Sequence, residues 1–273
     1  MRSHDPQLSR RSFLLGGAAI ITRPRILTPA CSLVPEQEEG PYYIDFEKVR
    51  QDLTENKPGI PLQLRIALVD AKQCQPLENA AVDIWHCDAL GVYSGFTANG
   101  GGERTGGQRA LGPLGRPPVG FGPFGPRGRG EVRGGNTGDE TRFLRGVQLT
   151  DKQGFADFST IYPGWYAGRT IHIHLKVHLG GGIAGEQYGG GHVSHTGQLF
   201  FPEDLTEQVA KMDPYAKHSN VHRTLNNEDH IFLDQGGGRS MVKIERLQKG
   251  ANEGGFLATI TLGVDPGATP RVF

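Results

Sequence analysis

No stretch of this chain is apolar for long enough to cross a bilayer: the longest candidate, residues 13–21, falls well short of the roughly 20 residues a membrane helix needs. No charge of one sign is in excess either. With 29 Lys and Arg against 29 Asp and Glu, and a pI near 7.2, the chain has no general attraction to nucleic acid or anionic lipid. Cysteine is scarce. Cys31, Cys74 and Cys87 include no C-x-x-C pair, which removes a zinc knuckle; in an oxidising compartment two of the three can pair, and the sequence does not choose which. Helical periodicity is nearly absent, the one exception being residues 203–212, with Leu205, Val209 and Met212 on one side.

What is present is a succession of short strand-like segments: residues 62–69, 80–85, 143–149, 155–160, 171–177, 198–201, 230–233, 241–247 and 256–262, punctuated by Gly, Pro, Asn and Asp. Leu62, Leu64, Ile66 and Leu68 alternate in the first of them. Many strands and little helix predict an all-β chain, an antiparallel β-sandwich with long loops. Residues 100–138 break the rhythm with 15 of the chain's 41 glycines and no hydrophobic periodicity. They are expected to form a long surface loop, either a solvated insertion or one whose arginines attract an anionic substrate. The first 30 residues read as an address: Ser9, Arg10, Arg11, Ser12, Phe13, Leu14 and Leu15 make a twin-arginine pattern ahead of the short apolar run. A removed export signal at 1–30 and a catalytic domain at 31–273 are expected, with periplasm, cell surface and medium not separated. Cys31 follows Leu-Thr-Pro-Ala, a poor lipobox because Thr28 stands where Leu is usual.

Chemistry concentrates in residues 160–178, TIYPGWYAGRTIHIHLKVH. At period two, Ile171, Ile173, Leu175 and Val177 share one face and His172, His174, Lys176 and His178 the other. Residues two apart on a strand are about 6.6 Å apart on the same side, so His172 and His174 can converge on one metal ion. His178 lies about 13 Å from His174 and needs a bulge to join them. Tyr166 and Arg169 lie just upstream in a Pro-Gly turn, and Tyr93 ends DIWHCDALGVYSG, where a strand runs into the turn at Gly91. Phenolate is a hard anionic donor, so two Tyr with two His select Fe(III) over zinc, calcium or copper(I). His86 and Asp88, at the strand end, are expected to have a structural or supporting role.

These residues sit in longer motifs: PEQEEGPYYID at 35–45, VDIWHCDALGVYSG at 82–95, the segment from 143 to 177, and TGQLFFPED at 196–204. Together they resemble the intradiol ring-cleavage dioxygenases, in the compact exported branch that lacks a helical N-terminal domain. The resemblance implies a non-haem Fe(III) cofactor held by Tyr93, Tyr166, His172 and His174, with Tyr166 as the tyrosinate that leaves when substrate chelates. It places the active-site arginine at Arg169 and the active-site glutamine at Gln198, and puts Gly40, Pro41, Tyr42 and Trp85 around the substrate. It implies a small aromatic diol and O2 as reactants and a cis,cis-muconate-type dicarboxylic acid as product. Gly168 stands where better-studied protocatechuate enzymes carry Trp, so the choice among catechol, protocatechuate, hydroxyquinol and larger diols stays open, as does the oligomeric state. The alternatives are an extracellular β-sandwich binding module that has lost its metal, and a zinc hydrolase using the two histidines; neither accounts for the two tyrosines and Arg169 in register.

Overall fold

A computed structural model describes residues 31–45, 47–97, 139–248 and 254–270. The expected export signal at 1–30 and the whole glycine-rich segment at 100–138 lie outside the described residues. Eight strands form two four-stranded sheets: β1 Pro61–Asp70, β2 Ala81–Trp85, β3 Arg145–Leu149, β4 Phe155–Ile161, β5 His172–Ala184, β6 Gln187–Phe200, β7 Lys243–Leu247 and β8 Gly255–Val264. One sheet has the order β4-β1-β8-β7 and the other β3-β2-β5-β6. The sandwich is as expected, with one departure: β1 pairs parallel to β8 along Leu62–Asp70, and the remaining pairs are antiparallel. Leu62, Leu64, Ile66 and Leu68 are fully buried against Phe158 and Ala258 of their own sheet and Val82, Ile84, Ile173, Leu175 and Val177 of the other, and each such side chain contributes about 1.5–3 kcal/mol of burial.

Two elements differ from the sequence expectation. Residues 230–233 form not a strand but a short helix, α2 (His230–Asp234), after α1 (Glu203–Val209). The Asp229 carboxylate caps α2, accepting from Ile231 N at 2.8 Å and Phe232 N at 3.3 Å, and a capping Asp decides a short apolar run whose periodicity alone is ambiguous. In α1, Leu205 and Val209 are buried as expected, whereas Met212 lies past the helix end and is exposed.

The outer face of the second sheet positions the site. Because side chains alternate, the cross-strand row Arg145, Trp85, His174, Gln198 runs over β3, β2, β5 and β6 on that face. Next to it runs Val147, Asp83, Lys176 and Thr196, then Leu149, Ala81, His178 and Val193. Cys31 and Cys74 are joined in a disulfide with Cα atoms 5.3 Å apart, and Cys87 is buried and free. The sulfur of Cys31 is thus in use and cannot also carry a lipid.

Candidate metal centre

Four side chains from three segments meet at the upper end of β5. His172 Nε2 lies 2.9 Å from His174 Nε2, 3.3 Å from the Tyr166 hydroxyl and 3.5 Å from the Tyr93 hydroxyl. His172 Nδ1 donates to the Thr170 carbonyl at 2.6 Å, which fixes the tautomer and leaves the Nε2 lone pair facing the other three groups. Trp85 stacks on His174 with ring centroids 5.0 Å apart and planes 5° from parallel. Opposite it, Gly40 has φ +75° and a Cβ there would stand 2.9 Å from His174 Cε1, so only glycine lets the backbone lie against the ring.

The tyrosines arrive on two turns locked to each other. Asp88 Oδ1 accepts from Leu90 N and Val92 N at 2.9 and 3.0 Å, and Lys57 holds its other oxygen at 2.8 Å, shaping the turn that ends at Tyr93. Gly91 in that turn has φ +80° and a Cβ would come within 2.3 Å of the Trp165 carbonyl, beside Tyr166. Tyr93 is fully buried, stacked under Tyr42 at 4.4 Å, with the Arg145 guanidinium 5.9 Å from its ring. Tyr166 is only half-buried, and Ala167 and Gly168 after it are exposed. His86, also buried, makes no contact with this group; it bonds the Cys87 carbonyl and Thr160 Oγ1, both at 2.8 Å.

The donors fit one first-row ion. Atoms sharing such an ion at bond lengths of about 2.1 Å stand roughly 3 to 3.5 Å apart at angles near 90–110°, and the three spacings from His172 Nε2 run from 2.9 to 3.5 Å. Burial, then Arg169, pushes His172 down to about 3, and burial with His172 pushes His174 well below its ordinary value, so both imidazoles are the neutral form that ligates. Burial raises both phenols: Tyr93 well above 10, with Tyr166 adding to it, and Tyr166 above 10 as well. A bound cation is what would make them phenolates. Among the described residues no group of three or more His, Cys, Asp or Glu is placed to hold an ion; the convergent set is one that includes Tyr.

Arg169 lies beside this set, its side chain 14% exposed. Its Nε donates to Asp229 Oδ2 at 2.9 Å and its Nη2 donates to Gln198 Oε1. Gln198 is held in turn, its Nε2 donating to the Glu38 carbonyl at 2.7 Å and its backbone N to Gln37 Oε1 at 2.7 Å. Asp229 is the residue that sequence reasoning missed. It is fully buried and its Oδ2 also accepts from Thr170 N at 2.8 Å, so one carboxylate holds both Arg169 and the residue whose carbonyl fixes His172. Burial pushes its pKa up, and the Arg169 charge with the Thr170 bond more than offsets this, holding it below the ordinary value. Its place before an apolar run is an N-cap signal; nothing local points to Arg169, 60 residues away. Of the expected pocket residues, Tyr42 faces Tyr93 and Tyr166, Pro41 is exposed, and Trp85, 1% exposed, supports His174 from beneath. His178 does meet a bulge, between Val177 and His178, but it turns toward Asp83, with Nε2 3.8 Å from Oδ2, and away from the other histidines.

No family model matches the chain, and no curated protein matches it. Among solved structures, an intradiol ring-cleavage dioxygenase from Tetranychus urticae is 30% identical, covering 89% of this chain and 98% of its own, with a TM-score of 0.67. The chain belongs to the intradiol ring-cleavage dioxygenases. Two further members share the fold at lower identity. The dioxygenase domain of a dioxygenase and carbohydrate-binding protein fusion from Streptomyces sp. SirexAA-E is 22% identical, over 85% of this chain and 97% of that one, with a TM-score of 0.50. Catechol 1,2-dioxygenase from Acinetobacter sp. ADP1 is 20% identical, over 88% and 67%, also with a TM-score of 0.50. In this dioxygenase Gly168 has φ +87° and a Cβ there would meet nothing within 4 Å among the described residues, which leave the flank of Tyr166 open.

Proposed function

We propose that this chain is a non-haem Fe(III) enzyme that opens the ring of a catechol-type diol with O2, giving a cis,cis-muconate-type dicarboxylic acid. The observation that carries the reading is the meeting of two tyrosine hydroxyls and the His174 Nε2 at 2.9–3.5 Å from His172 Nε2, beside a held arginine. Tyr93, Tyr166, His172 and His174 would hold the ferric ion. When bound, that ion would chelate the diol and withdraw electron density, making the ring reactive toward O2.

The protein's own groups divide the remaining work. Tyr93 is clamped under Tyr42 and stays in place, whereas Tyr166, half-buried on an exposed turn, is the ligand free to swing away. Its phenolate oxygen would then take one of the diol's two protons, the second passing to a water-derived hydroxide. Arg169 presents a fixed positive charge toward negative charge developing on the ring, and Gln198 and Asp229 keep its fork aimed. Tyr42, Tyr166 and the open flank at Gly168 bound the space for the diol. We also infer export by the twin-arginine route, supported by the Cys31–Cys74 disulfide, a bond typical of oxidising compartments.

The test is the product. Iron-loaded protein given catechol should consume one O2 per molecule of cis,cis-muconate formed. An aldehyde-bearing extradiol product, or no oxygen uptake by a fully loaded protein, contradicts the proposal.

A further inference from the structure

A second polar cavity lies on the same outer sheet face, separated from the candidate centre by the rings of Tyr43 and Trp85. Tyr43 packs on Trp85 at 4.9 Å, and Trp85 on His174 at 5.0 Å. Beyond Tyr43 is a cavity of about 230 Å³, with Tyr43, Asp45, Glu47, Asp83, His178 and Tyr188 in its wall. Glu47 and Asp83 are 3% and 2% exposed, and each keeps one carboxylate oxygen without a hydrogen-bond partner, as does His178 at Nε2. A buried acceptor left unpaired costs about 1–3 kcal/mol, more when it is charged, and three of them around one cavity call for a shared partner.

The charges say which kind. Among the described residues no Lys or Arg lines the cavity. Lys176 stands opposite Asp83 in the strand register, but its ammonium is taken up by Glu39 at 2.6 Å and by the Tyr43 ring at 3.4 Å. Arg145, fully buried behind the same sheet face, spends Nε and Nη2 on Ser94 and keeps Nη1 without a partner, while Arg50 and Arg142 bond backbone carbonyls. Tyr43 satisfies only the second oxygen of Asp83, at 3.1 Å. Burial, and then the charge of Asp83, pushes Glu47 up to about 7, outweighing the opposing charges of Arg145, Arg142 and Arg50.

A bare metal ion does not suit the place, since no three His, Cys, Asp or Glu among the described residues can reach one ion. An alkylammonium does. Its three N–H donors match the number of unpaired polar atoms in the wall, and the two phenol rings suit its carbon chain and charge. The β-bulge that turns His178 toward Asp83 completes the wall. We propose that this cavity is a binding site for a small primary ammonium ion, held by Glu47, Asp83 and His178 and distinct from the candidate metal centre.

The test is calorimetric titration of the iron-loaded full chain with ethylammonium chloride, with propan-1-ol as a neutral molecule of similar shape. One saturable site for ethylammonium and none for propan-1-ol is expected, and Glu47→Gln and Asp83→Asn should each weaken binding at least about tenfold, or 1.4 kcal/mol. Equal uptake of the two probes by the unaltered protein, or no saturable heat with ethylammonium, overturns the proposal, and so does unchanged affinity in folded carriers of both substitutions. Because the readout is binding beyond the Tyr43 and Trp85 rings, its failure leaves the ring-cleavage reading untouched.

Discussion

Replacing Asp229 with Asn isolates what one buried charge does for the centre. The amide oxygen can still cap α2 at Ile231 N and Phe232 N, so the helix keeps its N-terminus. What changes is the other side, where Oδ2 accepts from Arg169 Nε and Thr170 N. An amide NH2 turned toward them sets donors against donors and leaves the Arg169 charge uncompensated. Removing one partner of a fully buried ion pair costs about 3–5 kcal/mol. Asp229 is fully buried, but the Arg169 side chain is 14% exposed and can recruit water, so the lower figure, about 2–3 kcal/mol, is appropriate. For a chain of this size that lowers Tm by roughly 4–10 °C. The same change frees the Arg169 fork and the Thr170 peptide, so kcat with catechol should fall by about tenfold or more with little change in KM, the pattern of a group that acts in the transition state. Asp229→Glu should recover part of both. Thermal denaturation and steady-state oxygen uptake measure the two effects; an Asp229→Asn protein with unaltered Tm and kcat would refute the positioning argument.

Gly40→Ala should push His174 aside, since the new Cβ would lie 2.9 Å from its Cε1 at a φ of +75°; iron retained after dialysis should fall, and full retention would show that the loop gives way instead. Glu47 should make stability fall with rising pH relative to Glu47→Gln: its folded pKa of about 7 exceeds its ordinary 4.5, so the folded state holds the extra proton and its contribution, complete below about 4.5, is lost by about 7. Urea denaturation of both proteins across that window checks the sign, and parallel curves would contradict it. Cys74→Ser opens a link spanning 43 residues and should cost up to about 4 kcal/mol; reductant should bring the unaltered protein to the same urea midpoint, and no shift with reductant would deny the bond a stabilising role.

Much of the centre was legible because strand periodicity is short and strict. His172 and His174 on one face, with Ile173, Leu175 and Val177 buried on the other, follow from alternation alone. Tyr93 and Tyr166 followed from turns beside strand ends. The parallel pairing of β1 with β8 was not legible, because alternation states which side chains face inward and not which way a neighbour runs. Residues 230–233 misled because four apolar-leaning residues suit either element, and the cap on Asp229 decides. Arg145 shows the same limit: its strand was expected, but its burial behind Tyr93, bonded to Ser94, depends on partners about 50 residues away.

The most direct test of the two-tyrosine, two-histidine centre is the visible absorption spectrum of the purified protein, with metal analysis, before and after anaerobic catechol. The account predicts bound iron, a broad tyrosinate-to-iron band that shifts to longer wavelength with catechol, and a weakened band in Tyr93→Phe and Tyr166→Phe. A protein that carries stoichiometric metal yet is colourless would contradict it.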